Sequence, residues 1–388
     1  MTGDGSKADH NGLKRLERTL PSPHYFDATH HDEEMRRLWH RNWVYVGRGS
    51  ELAAPLSFRT FQLGSQSVLI LRGDDGRLRA FHNTCRHRGS VLCREETGKL
   101  GAKLISCPYH RWGYDQDGAL VRVPSMSIPE GFAKADHGLY RVAIEEWRGL
   151  VFVCLAGNDA PPFAGSFTRD SARMDHWPLE DLVTGHIYRK TMACNWKVFW
   201  ENFNECLHCP GIHPELCDLV PLYGRGIVAE RDDPRWRDHA DDPDPRYKGG
   251  MRAGGETWSM DGRAHGRQFR DLSETERATG QTYVTSLPSM FIVGHVDYMR
   301  IVSLRPLGPE TTELTAEWLL PAETLADPQF DLGNVVNFAR LVLDQDAAAC
   351  EMNQQGLRAA PHAHGVLMPE EYYVFAFHDW IRAGMALG

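Results

Sequence analysis

FHNTCRHRGS, residues 81–90, and ISCPYHRWGY, residues 105–114, decide the fold of this chain because each short stretch offers two metal ligands. The first carries Cys85 and His87, and the second carries Cys107 and His110. Two thiolates and two imidazoles suit either zinc or an iron–sulfur cluster in which two His replace two Cys on one iron. A cluster of that type has a raised reduction potential, so the pattern indicates a centre that accepts electrons readily.

Sequence spacing separates these two kinds of metal site. Zinc fingers usually keep their two Cys apart from their two His along the chain, whereas each stretch here supplies one of each. Gly89 and Gly113 adjoin the two ligand pairs, and tight turns at glycine can aim backbone N–H groups at sulfur atoms. The pattern therefore favours a [2Fe–2S] cluster over a structural zinc site.

Length and charge bound the rest of the chain. It has 388 residues, a formal net charge of −9 and a pI of about 6.1, which predicts two domains and argues against nucleic acid or a membrane as partner. The best apolar run, residues 149–157, is strand-sized, and the N-terminus lacks an apolar signal segment. We therefore expect a cytoplasmic protein whose nine scattered cysteines remain thiols.

The distribution of apolar residues predicts three segments in an α+β protein. Residues 1–42 form an N-terminal arm, poorly ordered as far as residue 20, with a helix at 32–39 that packs on the larger domain. Residues 43–158 contain short apolar runs between Gly and Asp turns, which predicts a small all-β domain. Residues 159–388 mix helices and strands and form the larger domain.

Within the larger domain the patterns predict a definite order of elements. A helix near 195–209 carries a second set of candidate ligands, strands lie near 282–306 and 311–320, and a long helix covers about 330–357. The polar stretch 230–280, rich in Gly, Asp and Arg, is predicted to be a mobile surface loop or a substrate lid.

Glu205, His208 and His213 form the second chemical constellation. His208 follows Glu205 by one helical turn, which would place both side chains on one face of the predicted helix. Pro210-Gly211 argue against an uninterrupted helix, so a bend can return His213 to the same metal. Two imidazoles alone make a weak site, and a third ligand is needed.

A carboxylate completes the face that mononuclear iron oxygenases use, leaving other positions open for O2 and substrate. Asp346 meets this need because its neighbours three and four positions away are apolar: Val342, Leu343, Ala349 and Cys350. A carboxylate on an apolar face is costly unless it is paired or binds a metal. Asp344 instead has Arg340 beside it, and we predict a solvated ion pair there.

Several neighbouring features have an ordinary structural explanation beside a functional one. Cys206-x-x-Cys209 could be redox-active or bind zinc, but no second thiol pair lies nearby in sequence. Asn202, one turn before Glu205, either faces the metal or bonds to the backbone. Aromatic residues of the expected pocket region are candidate substrate contacts, although such residues more often pack on strand faces: Trp258, Tyr283, Phe291 and Tyr298.

The two sets of motifs together resemble the α subunits of Rieske non-haem iron oxygenases, and they span most of the chain. The early set is Cys-x-His with Cys-x-x-His, and the later set is E-x-x-H-x-x-x-x-H at 205–213 with Q-D-x-x-x-x-E at 345–351. The resemblance implies a small all-β Rieske domain and a helix-grip, START-like catalytic domain with an antiparallel sheet wrapped by helices. It implies these ligands: Cys85, His87, Cys107 and His110 for a [2Fe–2S] Rieske cluster, and His208, His213 and Asp346 for mononuclear Fe(II).

The resemblance also implies partners and a role for Glu205. In the family an acid at that position connects the mononuclear iron to a Rieske His, here His110, of a neighbouring subunit in a head-to-tail homotrimer. Many members have Asp there, and Glu occurs in the branch that acts on quaternary ammonium compounds. Electrons would come from an NAD(P)H-dependent flavin and iron–sulfur reductase or from a ferredoxin, with O2 as co-substrate. Glu205 is therefore one expected catalytic residue, and Asn202, because of its position one turn earlier, is the other.

The expected substrate comes from a narrower similarity within that family. LPSPHYFD at 20–27, the Gln345-Asp346 helix and FAFHDW at 375–380 are most similar to the glycine-betaine and carnitine type of monooxygenase. That type hydroxylates a C–H bond beside a cationic nitrogen, and a methyl group hydroxylated there is lost as formaldehyde. We expect a betaine-like quaternary ammonium substrate. Two alternatives stay open at this point: hydroxylation of an aromatic ring, and a Rieske electron carrier without oxygenase activity.

Overall fold

The computed structural model describes residues 10–166 and 171–386, which divide into two compact units. The first, called the β unit, comprises the described residues from 38 to 166 together with 286–289. The second, called the mixed unit, comprises the other described residues. The compact β unit begins at residue 38 and continues past residue 158. The domain boundaries expected from sequence, at residues 43 and 158, stay predictions.

The β unit contains two antiparallel sheets, because its short apolar runs are each long enough for one strand. The larger sheet has seven strands, in the spatial order Val44–Arg48, Leu150–Cys154, Arg141–Trp147, Leu78–His82, Gln66–Arg72, Ser57–Leu63 and Thr97–Lys99. The smaller has three: Ile105–Ser106, Gly113–Tyr114 and Leu120–Arg122. A short helix, Phe163–Ser166, lies at the end of the first described range.

Two clusters of buried apolar side chains stabilise the β unit. One lies around Val68, Ile70, Val151 and Val153 on the large sheet. The other includes Cys85 and Cys107, the two cysteines of the motif stretches. They pack with Phe81, Trp112 and Tyr114. The candidate thiol ligands are therefore part of a close-packed core, where their positions are fixed.

The mixed unit is built on a five-stranded antiparallel sheet with helices around it. The strands lie in the order Val183–Met192, Thr311–Leu320, Met299–Gly308, Met290–Gly294 and Thr282–Ser286. The described α-helices are Ala28–Glu34, Trp196–Phe203, Cys209–Ile212, Pro214–Leu219, Pro245–Lys248, Glu274–Thr279, Ala322–Ala326, Leu332–Leu357 and Tyr372–Ala386. Met35–Trp39 continues the first helix as a π-helical turn, and Glu17–Arg18 pairs with Val366–Leu367.

Two helices of the mixed unit matter most for the site. The long helix Leu332–Leu357 begins at Asp331, whose carboxylate accepts the Gly333 N–H at 2.9 Å. Trp196–Phe203 begins at Asn195, whose side chain accepts the Lys197 N–H. Both starts follow the usual preference for Asp and Asn at helix N-caps.

A buried ion pair anchors the N-terminal helix Ala28–Glu34 to the helix Trp196–Phe203. Lys197 Nζ lies 2.7 Å from Glu34 Oε1, and both side chains are fully buried. The Trp196 indole N–H donates to the other Glu34 oxygen at 3.1 Å. Because each buried charge is compensated, the contact holds only while both partners are present.

The structure corrects the expected helix at 195–209. The helix ends at Phe203, and Glu205 and His208 lie in the turn that follows, not on one helical face. The physical reason is that the Glu205 carboxylate accepts the backbone N–H groups of Leu207 and His208, which competes with helical hydrogen bonds. Pro210 then stands in the first turn of the short helix Cys209–Ile212, which proline tolerates.

Two further expectations meet the structure in part. The stretch 230–280 holds short helices and fully buried side chains such as Thr257 and Ser259, so it is not simply a surface loop. For the arm, residues 1–9 lie outside the described residues, whereas Glu17–Arg18 are paired in a small sheet. Of the helices that the structure describes, none is both long and apolar enough to cross a bilayer.

Candidate metal centres and substrate cavity

The two motif loops of the β unit close in the same way. In each loop the Cys N–H donates to the carbonyl five residues later, at 2.8 Å for both Cys85 and Cys107. The N–H four residues later donates back to the Cys carbonyl, from Gly89 at 3.0 Å and from Arg111 at 3.1 Å. Both of these residues adopt positive φ, +75° and +59°, which glycine tolerates and arginine rarely does. Two matched turns therefore present the four candidate ligands.

The four predicted cluster ligands converge. His87 Nδ1 and His110 Nδ1 lie 3.2 Å apart, close to the separation of about 3 Å for two nitrogens that share one metal. The Cys85 and Cys107 thiols are buried neighbours, and burial is the main cause that raises the pKa of Cys85. Two adjacent buried thiols become stable thiolates only beside cations, so this donor set fits a [2Fe–2S] cluster.

His208, His213 and Asp346 also converge, in the mixed unit. Asp346 Oδ1 lies 2.9 Å from His213 Nε2 and 3.5 Å from His208 Nε2. One oxygen thus faces two imidazole nitrogens on their outer edges, which is the arrangement that a metal between the three groups needs. The short helix and turns after Phe203 supply the imidazoles, and the long helix supplies the carboxylate.

The inner nitrogen of each imidazole is held by a neighbouring acceptor. His208 Nδ1 lies 2.5 Å from Glu205 Oε1, and His213 Nδ1 lies 2.8 Å from Gln345 Oε1. Gln345 in turn donates its amide to Glu215 at 3.1 Å. Such partners fix a ligating histidine with its proton on Nδ1 and leave Nε2 free for a metal.

The field at this site attracts positive charge. Burial opposes protonation of His208, but Asp346 and Glu205 outweigh it and raise the pKa of this imidazole to about 9. Burial likewise opposes ionisation of Asp346, yet its bonds to His208 and His213 hold the pKa of this carboxyl below its usual value. The residues therefore fit a divalent cation, whose charge would replace the proton.

Asp344 and Asp346 have different partners, as the sequence predicts. The cation that pairs with Asp344 is Lys190, however, and not the expected Arg340. Asp344 Oδ1 lies 2.7 Å from Lys190 Nζ and accepts the Tyr188 hydroxyl at 2.6 Å. The expected pair with Arg340 is replaced by these contacts, because Tyr188 and Lys190 stand on a sheet strand beside the long helix. Arg340 instead lies over the Tyr188 ring.

The structure corrects the expectation that all cysteines are free thiols. Cys206 and Cys209 are joined in a disulfide, and their Cα atoms lie 5.0 Å apart in the turn after Phe203. That separation is within the range that a disulfide spans, which the bend at this turn makes possible. Cys209 Sγ is near both imidazoles, but as half of a disulfide it offers no thiolate to a metal.

A cavity of about 910 Å³ in the mixed unit contains the three converging residues among its walls. Asn202 and Glu205 also line it, and Asn202 Nδ2 lies 3.3 Å from His208 Nε2, so this amide faces the site. Aromatic rings form much of the remaining wall: Phe199, Phe203, Tyr223, Trp258, Tyr283, Phe291, Tyr372 and Tyr373. Of the four predicted aromatic residues, only Tyr298 is absent from this lining; its hydroxyl donates to the Trp258 carbonyl at 2.8 Å.

Sequence reasoning missed two residues that the structure brings to the site. From sequence Gln345 has no predicted role at the site, although its place beside Asp346 on the long helix was a usable signal. Arg300 lines the cavity from a strand and is 4% exposed. An arginine inside the apolar run Met299–Val302 is an unusual strand residue, and that composition could have drawn attention to it.

Comparison with known proteins assigns a family to both parts of the chain. A family model described as ring hydroxylating alpha subunit, catalytic domain, matches residues 170–387, and one described as Rieske [2Fe–2S] domain matches residues 42–133. The oxygenase subunit of glycine betaine monooxygenase from Chromohalobacter salexigens is 31% identical over 400 residues, covering 96% of this chain and 87% of that protein.

Solved structures show the same fold. A quaternary ammonium Rieske monooxygenase matches with a TM-score of 0.71 at 21% identity, covering 95% of each chain. Naphthalene 1,2-dioxygenase from Rhodococcus sp. matches with a TM-score of 0.67 at 19% identity, covering 95% of this chain and 94% of that one. From these matches and its two motif sets, the chain belongs to the ring-hydroxylating α-subunit family of Rieske non-haem iron oxygenases, enzymes with a [2Fe–2S] cluster and a mononuclear iron.

Proposed function

We propose that this oxygenase hydroxylates a methyl group on a quaternary ammonium nitrogen of a small betaine-like substrate. One atom of O2 enters the C–H bond, the other leaves as water, and two electrons and two protons are consumed. The resulting N-hydroxymethyl group then loses formaldehyde and a proton, which leaves a tertiary amine. The observation that supports this proposal is the convergence of His208, His213 and Asp346 in a cavity with aromatic walls.

In this proposal His208, His213 and Asp346 hold the mononuclear iron, which when bound supplies the activation of O2. Glu205 and Gln345 keep the two imidazoles in the orientation that leaves Nε2 available. Asn202 lies beside His208 Nε2, where its amide can donate to a group bound in the cavity. The apolar aromatic walls limit water around the reacting C–H bond.

Cys85, Cys107, His87 and His110 would hold the Rieske cluster, and Glu205 would connect the iron site to it. Because electrons must enter from outside, a cluster near the surface is useful, and His87 is exposed in the β unit. We propose that His110 of a neighbouring subunit meets Glu205 in a head-to-tail homotrimer.

Enzymes of this family receive electrons from a reductase or ferredoxin and form multimers. We propose an NAD(P)H-dependent reductase with flavin and iron–sulfur centres as the donor here. A cationic nitrogen would be held by the aromatic cluster in the cavity wall, where Phe203 stacks on Phe291 and meets Tyr283 edge to face. Quaternary ammonium groups bind aromatic rings by cation–π attraction.

The test is oxygen uptake by the holoenzyme with a matching reductase and NADH. Glycine betaine, carnitine, choline and simple aromatic compounds would be compared, with formaldehyde measured alongside. Uptake that is matched by formaldehyde with a quaternary ammonium compound supports the proposal. Uptake with aromatic compounds alone would replace it by ring hydroxylation, and reduction of the cluster without uptake on any substrate would point to an electron carrier.

A further inference from the structure

Arg300 is a buried cation in the wall of the cavity with no counter-ion supplied by the described chain. It is 4% exposed, and its Nε atom is buried without a hydrogen-bond partner. Across residues 10–166 and 171–386, no carboxylate lies within ion-pair distance of its guanidinium. Arginine keeps its charge in proteins and is almost never buried without a partner, so this position calls for an anion.

The sheet directs Arg300 toward the cavity. It stands on strand Met299–Gly308, opposite Val293 on one neighbouring strand and Trp318 on the other. Phe291 and its cross-strand neighbour Val302 are two residues away along these strands, on the same face of the sheet. Arg300 therefore shares a face with an aromatic wall residue. Glu317 pairs with Ile301 and belongs to the opposite face.

The carboxylates that line the cavity are already engaged elsewhere. Glu205 bonds to His208, Asp346 bonds to His213, and Glu276 bonds to His176 at 2.8 Å. Asp297, near Arg300 in sequence, accepts the Thr257 hydroxyl at 2.7 Å. The other arginine in the lining, Arg173, is exposed, so water can screen its charge.

The groups around Arg300 are neutral. The positive charge of Arg300 lowers the pKa of three neighbours, although burial is the larger influence on each: Tyr283, His295 and Tyr298. Burial, with a smaller effect of Arg300, holds the pKa of His295 well below its usual value, so this imidazole carries no charge. Burial raises the pKa of Tyr283 well above its usual value. The cavity thus contains one uncompensated buried positive charge beside aromatic faces.

We infer that Arg300 binds the carboxylate of the substrate, while the aromatic cluster of Phe203, Phe291 and Tyr283 in the cavity wall holds its quaternary ammonium group. This inference rests on the proposed function and narrows it to zwitterions that carry both groups. A planar guanidinium forms two parallel hydrogen bonds with a carboxylate, which is strong and geometrically specific in a site shielded from water. Choline, which has a hydroxyl group in place of the carboxylate, leaves Arg300 unpaired and is discriminated against.

The experiment compares Arg300→Gln with the wild-type holoenzyme, using calorimetric binding of glycine betaine, carnitine and choline. We expect the Kd of the preferred betaine to rise about 30- to 1,000-fold in the variant, and that of choline to change less than about threefold. Arg300→Lys, which keeps the charge but not the paired hydrogen bonds, should lie between the two. Arg189→Gln is the matched control, since Arg189 is an exposed arginine of the same sheet, on the other face, and should bind as wild type.

The outcomes separate this inference from the proposed function. Unchanged betaine affinity in Arg300→Gln overturns it, and so does an equal loss for betaine and choline, which would mean that Arg300 only shapes the cavity. If Arg300→Gln does not fold, the same split between betaine and choline is sought in Arg300→Lys. If betaine binding depends on Arg300 but turnover releases no formaldehyde, the carboxylate site is upheld and the proposed demethylation is wrong. Failure of the wild-type enzyme to bind any betaine defeats both.

Discussion

The two metal centres show two ways of building a site from histidine and an anionic ligand. In the β unit, two short matched loops supply all four proposed ligands, and the thiols are in the core while His87 is exposed. In the mixed unit, the proposed ligands come from distant parts of the chain, and His213 is 1% exposed at the wall of a cavity. The first arrangement gives electrons access, and the second keeps solvent from a reacting substrate.

One imidazole of each centre, His87 and His208, shows a further difference, in its affinity for a proton. Burial, His110 and Arg88 lower the pKa of His87, so this ring is neutral near pH 7 and ready to bind a metal. His208 has the opposite shift, because two carboxylates surround it. A proton on His87 is therefore disfavoured in the β unit, whereas two carboxylates at His208 attract a cation in the mixed unit.

The largest expected effect is loss of the mononuclear iron in Asp346→Asn, which removes the negative charge between two imidazoles. We expect Fe(II) binding to weaken by more than about 100-fold and turnover to cease, with the visible and EPR signals of the cluster unchanged. Asp344→Asn is the control, because Asp344 bonds to Tyr188 and Lys190. Elemental analysis should find two irons per chain in the first variant and three in the second. Equal iron contents would contradict the role of Asp346.

The next effect tests whether Glu205 links the two centres. In Glu205→Gln the amide oxygen can still accept the His208 Nδ1–H, but the charge is lost. Turnover should fall by about 100-fold or more while all three irons remain bound at saturating Fe(II). Stopped-flow measurement of cluster reoxidation should show the slow step. Loss of the mononuclear iron in this variant would mean that Glu205 serves iron binding instead.

A smaller effect concerns pH. In the metal-free site the pKa of His208 is about 9, raised by Asp346 and Glu205 against burial, so below that pH a proton must leave before Nε2 can bind a metal. The apparent affinity for Fe(II) should rise about tenfold per pH unit up to about pH 9 and then level off, with about one proton released per iron. Anaerobic titrations at several pH values measure both quantities. An affinity independent of pH between 6.5 and 8.5 would refute this account.

The smallest effect belongs to the cluster. The Tyr114 hydroxyl lies 3.2 Å from Cys85 Sγ, where it can donate a hydrogen bond that favours the more negative, reduced cluster. Tyr114→Phe should lower the reduction potential by about 60 mV, equivalent to one hydrogen bond of about 1.4 kcal/mol. Tyr109→Phe is the control, since Tyr109 is exposed in the same loop and has no such contact among the bonds described. Equal potentials in the two variants would show that Tyr114 does not tune the cluster.

The difference between the centres also explains what sequence alone could predict. The four cluster ligands lie within short loops, so their spacing in sequence is almost their spacing in space. Asp346 could be predicted from helical periodicity, because an acidic residue among Val342, Leu343 and Cys350 is unusual on the apolar face of a helix. In both cases the signal is local.

The remaining features depend on tertiary structure. The helix was expected to continue to residue 209, but the Glu205 side chain bonds to its own turn and ends it at Phe203. The Cys206–Cys209 disulfide follows from that bend. The position of Arg300 in the cavity wall depends on strand register, since a shift of one residue would turn it to the other face.

Three consecutive residues of the long helix Leu332–Leu357 point their side chains in different directions. Asp344 reaches the sheet at Lys190, Gln345 reaches His213 Nδ1, and Asp346 reaches the two Nε2 atoms. Successive residues are about 100° apart around a helix, so an insertion of one residue just before this trio would rotate each side chain into the place of another. Such an insertion within the helix would separate all three side chains from their partners at once, whereas residues added at its start, beside Asp331, would leave the three contacts in place.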